Sequence, residues 1–101
     1  MKNVLITPEA ERDLEEIADY IAADNPVRAL SFVQEIRDRC TKIGTAPLAH
    51  VARPELGDGI RSCRHKRYLI FFKVDPGDGS VLVVRVLHGA RDLLALFGDW
   101  P

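Results

Sequence analysis

The sequence has few of the features that mark secreted, metal-binding or membrane proteins. Its two cysteines, Cys40 and Cys63, are too few for a disulfide framework and lack a zinc spacing, so we expect two core thiols. No apolar run approaches the ~20 residues that span a bilayer, and the short run before Pro8 does not resemble a signal peptide. Glycine-rich phosphate loops and a serine–histidine–aspartate set are also missing. These absences predict a cytoplasmic protein without a metal or cofactor.

What the sequence does contain is typical of one small globular domain covering residues 1–101. Hydrophobic residues make up 47% and charged residues 29% of the chain, which is ordinary for a folded protein. The net charge of −1 hides an uneven distribution, because residues 60–91 carry seven lysines and arginines against two aspartates. A basic segment of this kind indicates an anionic partner, either an acidic protein or a nucleic acid.

Two helices are predicted in the first half of the chain. Thr7 and Asn25 are each followed by proline, which is the combination of an N-cap and a first helical residue. Apolar residues then recur at helical spacing to about Asp24 in the first helix and to about Gly44 in the second. The short connection between the helices predicts an antiparallel hairpin.

The second half of the chain predicts β-strands. A short strand at residues 2–6 precedes the helices, residues 45–59 read as a loop, and strands follow at residues 60–66, 68–74 and 81–88. Asp92 can cap a short C-terminal helix. The predicted fold class is therefore α+β: an N-terminal strand, an antiparallel helical hairpin, a three-stranded antiparallel segment of one sheet and a short C-terminal helix.

Both faces of the predicted sheet are apolar, although one helical hairpin can cover only one of them. By strict alternation, Leu69 and Phe71 face away from Ile70 and Phe72, and Val86 shares a face with Leu82 and Val84. The residues after Leu93 could fold back over the second face, or a separate chain could cover it. On the helices, Tyr20 and Leu30 lie off the apolar stripes and are candidates for contact with a partner.

Four stretches at consistent spacing resemble the RelE/ParE toxin superfamily, and in particular its ParE branch. They are LITPEAERDLEEI at residues 5–17, Tyr20-Ile21 with Asn25-Pro26 and Ala29, Ile60-Arg61 before YLIFF at residues 68–72, and VRVLHGARD at residues 84–92. The resemblance covers nearly the whole chain. The fold that it implies, a helical hairpin on an antiparallel sheet, is the one predicted above from the residues themselves.

The resemblance implies a toxin that poisons DNA gyrase and is neutralised by a ParD-like antitoxin. The antitoxin is expected to wrap the toxin, with a helix in an apolar groove and a strand on the sheet edge. The residues expected to contact it are exposed apolar or aromatic side chains and cations of the basic segment: Tyr20, Leu30, Arg61, Arg64, Arg67, Phe71 and Arg85. Neither a membrane nor direct binding of nucleic acid is expected.

RelE-like relatives instead cut mRNA on the ribosome, and this alternative stays open. Ribonuclease chemistry without a metal needs a base, an acid and cations on the phosphate, for which His88, Arg85 and Arg91 are the candidates. However, RelE-type nucleases carry basic residues and a tyrosine near the C-terminus, and residues 93–101 contain neither. This departure favours an inhibitor that acts by binding. A third alternative is an inactive relative that binds only the antitoxin.

Overall fold

The computed structural model describes residues 3–90 and has the predicted α+β class. The helices are α1 (Pro8–Ala22) and α2 (Pro26–Ile43). The strands are β1 (Val4–Ile6), β2 (Val51–Ala52), β3 (Arg61–His65), β4 (Tyr68–Val74) and β5 (Val81–His88), and a short 3-10 helix covers Pro47–Ala49. Lys2, Arg91 and the predicted C-terminal helix after Asp92 lie outside the described residues. No helix in the part of the chain described here is both long and apolar enough to cross a bilayer.

Both helices begin at the predicted caps. The Thr7 hydroxyl accepts a hydrogen bond from the Ala10 amide at 3.2 Å, and the Asn25 side chain accepts one from the Arg28 amide at 3.0 Å. Each cap satisfies one of the backbone donors that the first turn leaves without a helical partner. The sequence therefore predicted the starts of α1 and α2 correctly, because capping is a local interaction.

Thr7 also ties α1 to the sheet. Its hydroxyl donates to the Val84 carbonyl at 3.2 Å, and its backbone amide donates to the Val83 carbonyl at 3.0 Å. We expect Thr7→Ala to lower the free energy of unfolding by about 1–2 kcal/mol, because it removes a cap and a tertiary hydrogen bond together. Urea denaturation measures this loss. Thr7→Ser keeps the hydroxyl and should restore most of the stability; an equal loss in both variants would contradict the assignment.

Within residues 3–90 the sheet is mixed and has five strands in the order β1-β5-β4-β3-β2. β1 runs parallel to β5, whereas the other neighbouring strands are antiparallel. β2 pairs with β3 through only two residue pairs, at one edge of the sheet. The sequence did not predict β2, since it lies in a stretch rich in proline and glycine that shows no alternation.

A β-bulge in β5 changes the predicted faces of that strand. Phe71 pairs with Arg85 but Phe72 pairs with Val83, so Val84 is the extra residue. The extra residue shifts the alternation by one position beyond it. Val86 therefore packs on the helix side of the sheet, and its predicted grouping with Val84 was wrong.

The main core lies between the helical hairpin and one face of the sheet. It contains apolar residues from α1, α2, β3, β4 and β5, among them Leu14, Phe32, Ile36, Ile70, Phe72 and Val83. Cys40 and Cys63 are buried in the same cluster, as the sequence predicted for core thiols. Burial raises the pKa of Cys40 to about 12, so this thiol stays protonated at neutral pH.

The second face of the sheet is covered in part by the chain's own loop. Leu56 and Ile60 form a second apolar cluster with Leu69, Phe71, Val84 and Leu87. The loop is closed by a hydrogen bond of 2.7 Å from the Arg53 amide to the Ile60 carbonyl, and the Arg53 guanidinium lies 5.9 Å from the centre of the Phe71 ring. Residues 53–60 therefore supply part of the cover, which the sequence did not predict. The predicted cover by residues after Leu93 lies outside the described residues.

Candidate functional site

Four rings form a continuous row at one end of the sheet. Phe32 of α2 lies 5.4 Å from His65 and 5.6 Å from Tyr68, and Tyr68 lies 5.3 Å from His88, all measured between ring centroids. These separations and tilted angles are those of favourable aromatic pairs. This aromatic row joins α2 to the ends of β3, β4 and β5, and it forms the base of the site.

The turn between β3 and β4 lies beside the aromatic row and is firmly held. His65 pairs with Tyr68 across a two-residue turn in which Lys66 has a φ of 56°. The Arg67 carbonyl accepts a hydrogen bond of 2.8 Å from the Gly89 amide. A Cβ at position 89 would lie 3.3 Å from that carbonyl oxygen, so the close approach favours glycine there.

Tyr20 and Tyr68 stand between two neighbouring grooves that differ in charge. The first, which we call the basic groove, has a volume of about 300 Å³ and is lined by Tyr20, Ile21, Arg28, Phe32, Lys66, Arg67 and Tyr68. The second, which we call the acidic groove, has a volume of about 150 Å³ and is lined by Asp13, Glu16, Ile17, Tyr20, Tyr68, Val86, Leu87 and His88. Tyr20 is 72% exposed, so most of its ring is available to a ligand or partner.

The cations of the basic groove are not equivalent. Arg28 forms an ion pair with Glu35 and lies 5.0 Å from the centre of the Phe32 ring, so its charge is already balanced. Hydrogen bonds from Arg28 and then from His65 lower the pKa of Glu35. Lys66 and Arg67 are exposed and form no ion pair with any residue in 3–90. They are therefore the cations that remain available for an anionic group.

Two of the rings that line the acidic groove, those of His88 and Tyr68, are poorly suited to act as bases. Nδ1 of His88 accepts a hydrogen bond of 3.1 Å from the Ala90 amide, which places the proton of a neutral imidazole on Nε2. Its only unprotonated nitrogen is thus already engaged. Burial, together with the nearby Tyr20, raises the pKa of Tyr68, so its hydroxyl stays protonated at neutral pH. Within residues 3–90, no cluster of histidine, cysteine or carboxylate side chains could hold a metal ion.

Arg85 is occupied by an internal ion pair with Asp13. Its Nε and Nη2 donate to the two carboxylate oxygens at 2.8 and 3.0 Å, and the same carboxylate accepts the Val86 amide at 2.9 Å. The side chains are only 19% and 7% exposed. Arg85 therefore joins α1 to β5 beside the bulge, and the structure does not present it to a phosphate or a partner as the sequence suggested.

The remaining predicted contact residues are scattered. Arg61 is half-buried and donates to the His50 carbonyl at 2.8 Å, about 13 Å along β3 from the turn. Arg64 is exposed near that turn. Leu30 is 78% exposed on α2, as predicted, but lines neither groove. Phe71 is fully buried under the loop 53–60, so the expectation that its side chain would meet a partner is corrected.

Several residues of the basic groove were missed as site residues, among them Arg28, Phe32 and Lys66. Phe32 was assigned only to the apolar stripe of α2, Lys66 only to the basic segment, and Arg28 to neither. A sequence signal existed for Lys66, which lies between two strands where a tight turn exposes its side chain. No such signal existed for Phe32, because a residue on an apolar stripe can both belong to the core and form the floor of a groove.

The arrangement of a helical hairpin packed on one face of a five-stranded sheet defines the RelE/ParE-like fold. In accord with this, the chain is similar to a chain from the chromosomal ParDE toxin–antitoxin system of P. aeruginosa, with a TM-score of 0.73 and 23% identity over 87% of this chain and 96% of that chain. It is also similar to a chain from the toxin–antitoxin complex RelBE2 of Mycobacterium tuberculosis, with a TM-score of 0.65 and 24% identity over 86% and 96% of the two chains.

The family itself is identified by sequence. The model of the ParE toxin of the type II toxin–antitoxin system, parDE, matches residues 4–93, and the chain belongs to this family. A comparison with curated protein sequences gave no significant match. The resemblance drawn from the four sequence stretches and the predicted fold class are both confirmed.

Proposed function

We propose that this toxin inhibits DNA gyrase and that a ParD-like antitoxin encoded beside it neutralises it by direct binding. In this proposal residues 1–101 act as one domain in the cytoplasm. The match of residues 4–93 to the ParE toxin family carries the proposal. Gyrase is the target that the ParE branch implies, whereas the RelE branch implies mRNA.

The contacts of the candidate catalytic residues support an inhibitor that acts by binding. Arg85 is held by Asp13, and the unprotonated nitrogen of His88 is held by the Ala90 amide. General acid–base chemistry on a ribose would need a free base beside a free cation. Internal contacts that occupy both groups favour a structural role for them.

An antitoxin partner is supported by the solved structures of similar fold, which come from toxin–antitoxin systems. It is also supported by the exposed aromatic ring of Tyr20 and by the exposed cations Lys66 and Arg67, which form no ion pair within residues 3–90. Among the predicted antitoxin contacts, Tyr20, Leu30, Arg64 and Arg67 remain proposed, since each is exposed.

A supercoiling assay tests the proposed target. Purified toxin in molar excess over gyrase should abolish supercoiling of relaxed plasmid and leave linear DNA trapped with the enzyme. Toxin preincubated with the protein encoded by the neighbouring gene should have no effect, which controls for contaminating nucleases. Unchanged supercoiling and no linear product at excess toxin would rule out gyrase as the target.

A ribosome-dependent ribonuclease is the second candidate, favoured by the proximity of Tyr68 and His88, together with Arg67, around one surface cavity. In a translating extract, such an activity would cut mRNA at defined positions, and His88→Ala would abolish the cuts. Intact message at toxin concentrations that arrest growth would exclude this candidate. If neither gyrase nor mRNA is affected and induction causes no growth arrest, the chain only binds its antitoxin.

A further inference from the structure

We infer that the basic groove docks an acidic protein segment that carries one apolar anchor. The anchor rests against Tyr20 and Tyr68, and a neighbouring carboxylate of the same segment lies between Lys66 and Arg67. This inference rests on the proposed function in one respect, that the natural segment belongs to the antitoxin. Beyond that function, the basic groove is assigned as the binding site, and its ligand as a segment with one apolar side chain and a neighbouring carboxylate.

The aromatic side chains that line the basic groove can bind an apolar side chain of the partner. Phe32 is 6% exposed and forms the floor with Tyr68, while Tyr20 rises beside them with 72% of its surface in solvent. An exposed tyrosine can cover an incoming apolar side chain with its ring and keep its hydroxyl in water. Tyrosine is among the residue types that commonly dominate binding energy at protein interfaces.

The cations Lys66 and Arg67 of the basic groove can bind a carboxylate of the partner. Lys66 and Arg67 form no ion pair within residues 3–90, whereas the third cation, Arg28, is balanced by Glu35. The Arg67 carbonyl is held in place by the Gly89 amide, so little further ordering of the turn is needed on binding. Arg67 offers the planar pair of donors that suits a carboxylate.

The adjacent acidic groove favours a protein segment over a nucleic acid. Glu16 is exposed one helical turn before Tyr20, so its carboxylate lies on the same face of α1. A nucleic acid carries a negative charge at every nucleotide, and its backbone would meet this carboxylate on leaving the basic groove. A peptide can place its negative charge at one position and avoid the repulsion.

Fluorescence anisotropy of a dye-labelled peptide that alternates glutamate with leucine tests the inference on the full chain. Tyr20→Ala should weaken binding about tenfold, because it removes an exposed anchor wall without altering the core. Arg67→Gln should weaken binding by roughly threefold to tenfold through loss of a charge-assisted hydrogen bond. The matched control is Arg12→Gln, an exposed arginine of α1 that lines neither groove and should leave affinity unchanged. Circular dichroism verifies that each variant is folded.

Two control ligands test whether the basic groove prefers an acidic peptide over a basic peptide or a nucleic acid. A peptide with lysine in place of glutamate should not bind, and a single-stranded oligonucleotide of equal charge should bind more weakly than the acidic peptide. Tighter binding of the oligonucleotide that is lost in Arg67→Gln would overturn the inference in favour of nucleic acid. It would also be overturned if the acidic peptide failed to bind, or if Arg12→Gln weakened binding as much as Arg67→Gln. The supercoiling assay uses no peptide, so either proposal can fail while the other stands.

Discussion

Asp13→Ala is expected to lower the free energy of unfolding by about 3–5 kcal/mol, the range seen when one partner of a buried ion pair is removed. Asp13 is 7% exposed and accepts three hydrogen bonds, two from Arg85 and one from the Val86 amide. Its loss leaves a largely buried guanidinium without its ion-pair partner and a buried amide without an acceptor. Urea denaturation followed by circular dichroism measures the change.

The ion pair between Glu11 and Arg37 provides a matched control. It has nearly the same bidentate distances, 2.8 and 3.0 Å, but its side chains are 40% and 39% exposed. Water screens such a pair, so Glu11→Ala should cost less than about 1 kcal/mol. Equal losses for Glu11→Ala and Asp13→Ala would show that burial does not decide the strength of these pairs.

A double variant separates the structural role of Arg85 from a catalytic one. Asp13→Asn combined with Arg85→Gln removes both charges and keeps a side-chain oxygen for the Val86 amide. Because no unpaired charge remains, the double variant should recover most of the stability lost in Arg85→Gln alone. It should also retain growth arrest on induction. A folded double variant that no longer arrests growth would show that Arg85 or Asp13 acts on a target beyond their structural role.

Phe71→Ala is expected to destabilise the protein by about 3–5 kcal/mol, as is typical of a large aromatic side chain removed from a core. Phe71 is fully buried in the cluster that includes Leu56 and Ile60. The cavity would undermine the packing of the loop 53–60 on the sheet. Thermal and urea unfolding measure the effect.

Leu30→Ala is the control for that experiment, because Leu30 is 78% exposed and its truncation should change stability by no more than about 0.5 kcal/mol. If Phe71→Ala instead left stability unchanged but abolished antitoxin binding, Phe71 would be a partner contact after all. Measuring stability and antitoxin binding for both variants therefore distinguishes a residue that stabilises the fold from one that contacts the antitoxin.

Interactions between neighbours in the chain were predictable from the sequence. Thr7 and Asn25 cap the helices because an N-cap and the amide that it accepts are three residues apart. β4 and β5 were predicted with the observed bounds because their apolar, β-branched composition is local information. The resemblance to ParE also rests on short stretches of sequence, and it was confirmed by the match to residues 4–93.

Only the tertiary structure decided which of the candidate residues are accessible to a partner. Arg85 and Asp13 are 72 positions apart, and nothing near either of them indicates that they pair. The bulge at Val84 reversed the faces of the residues beyond it, and the loop 53–60 buried Phe71. The basic groove joins Tyr20 of α1 to Lys66 and Arg67 of a distant turn. Composition and periodicity describe each segment separately, whereas charge pairing and burial depend on which segments meet in space.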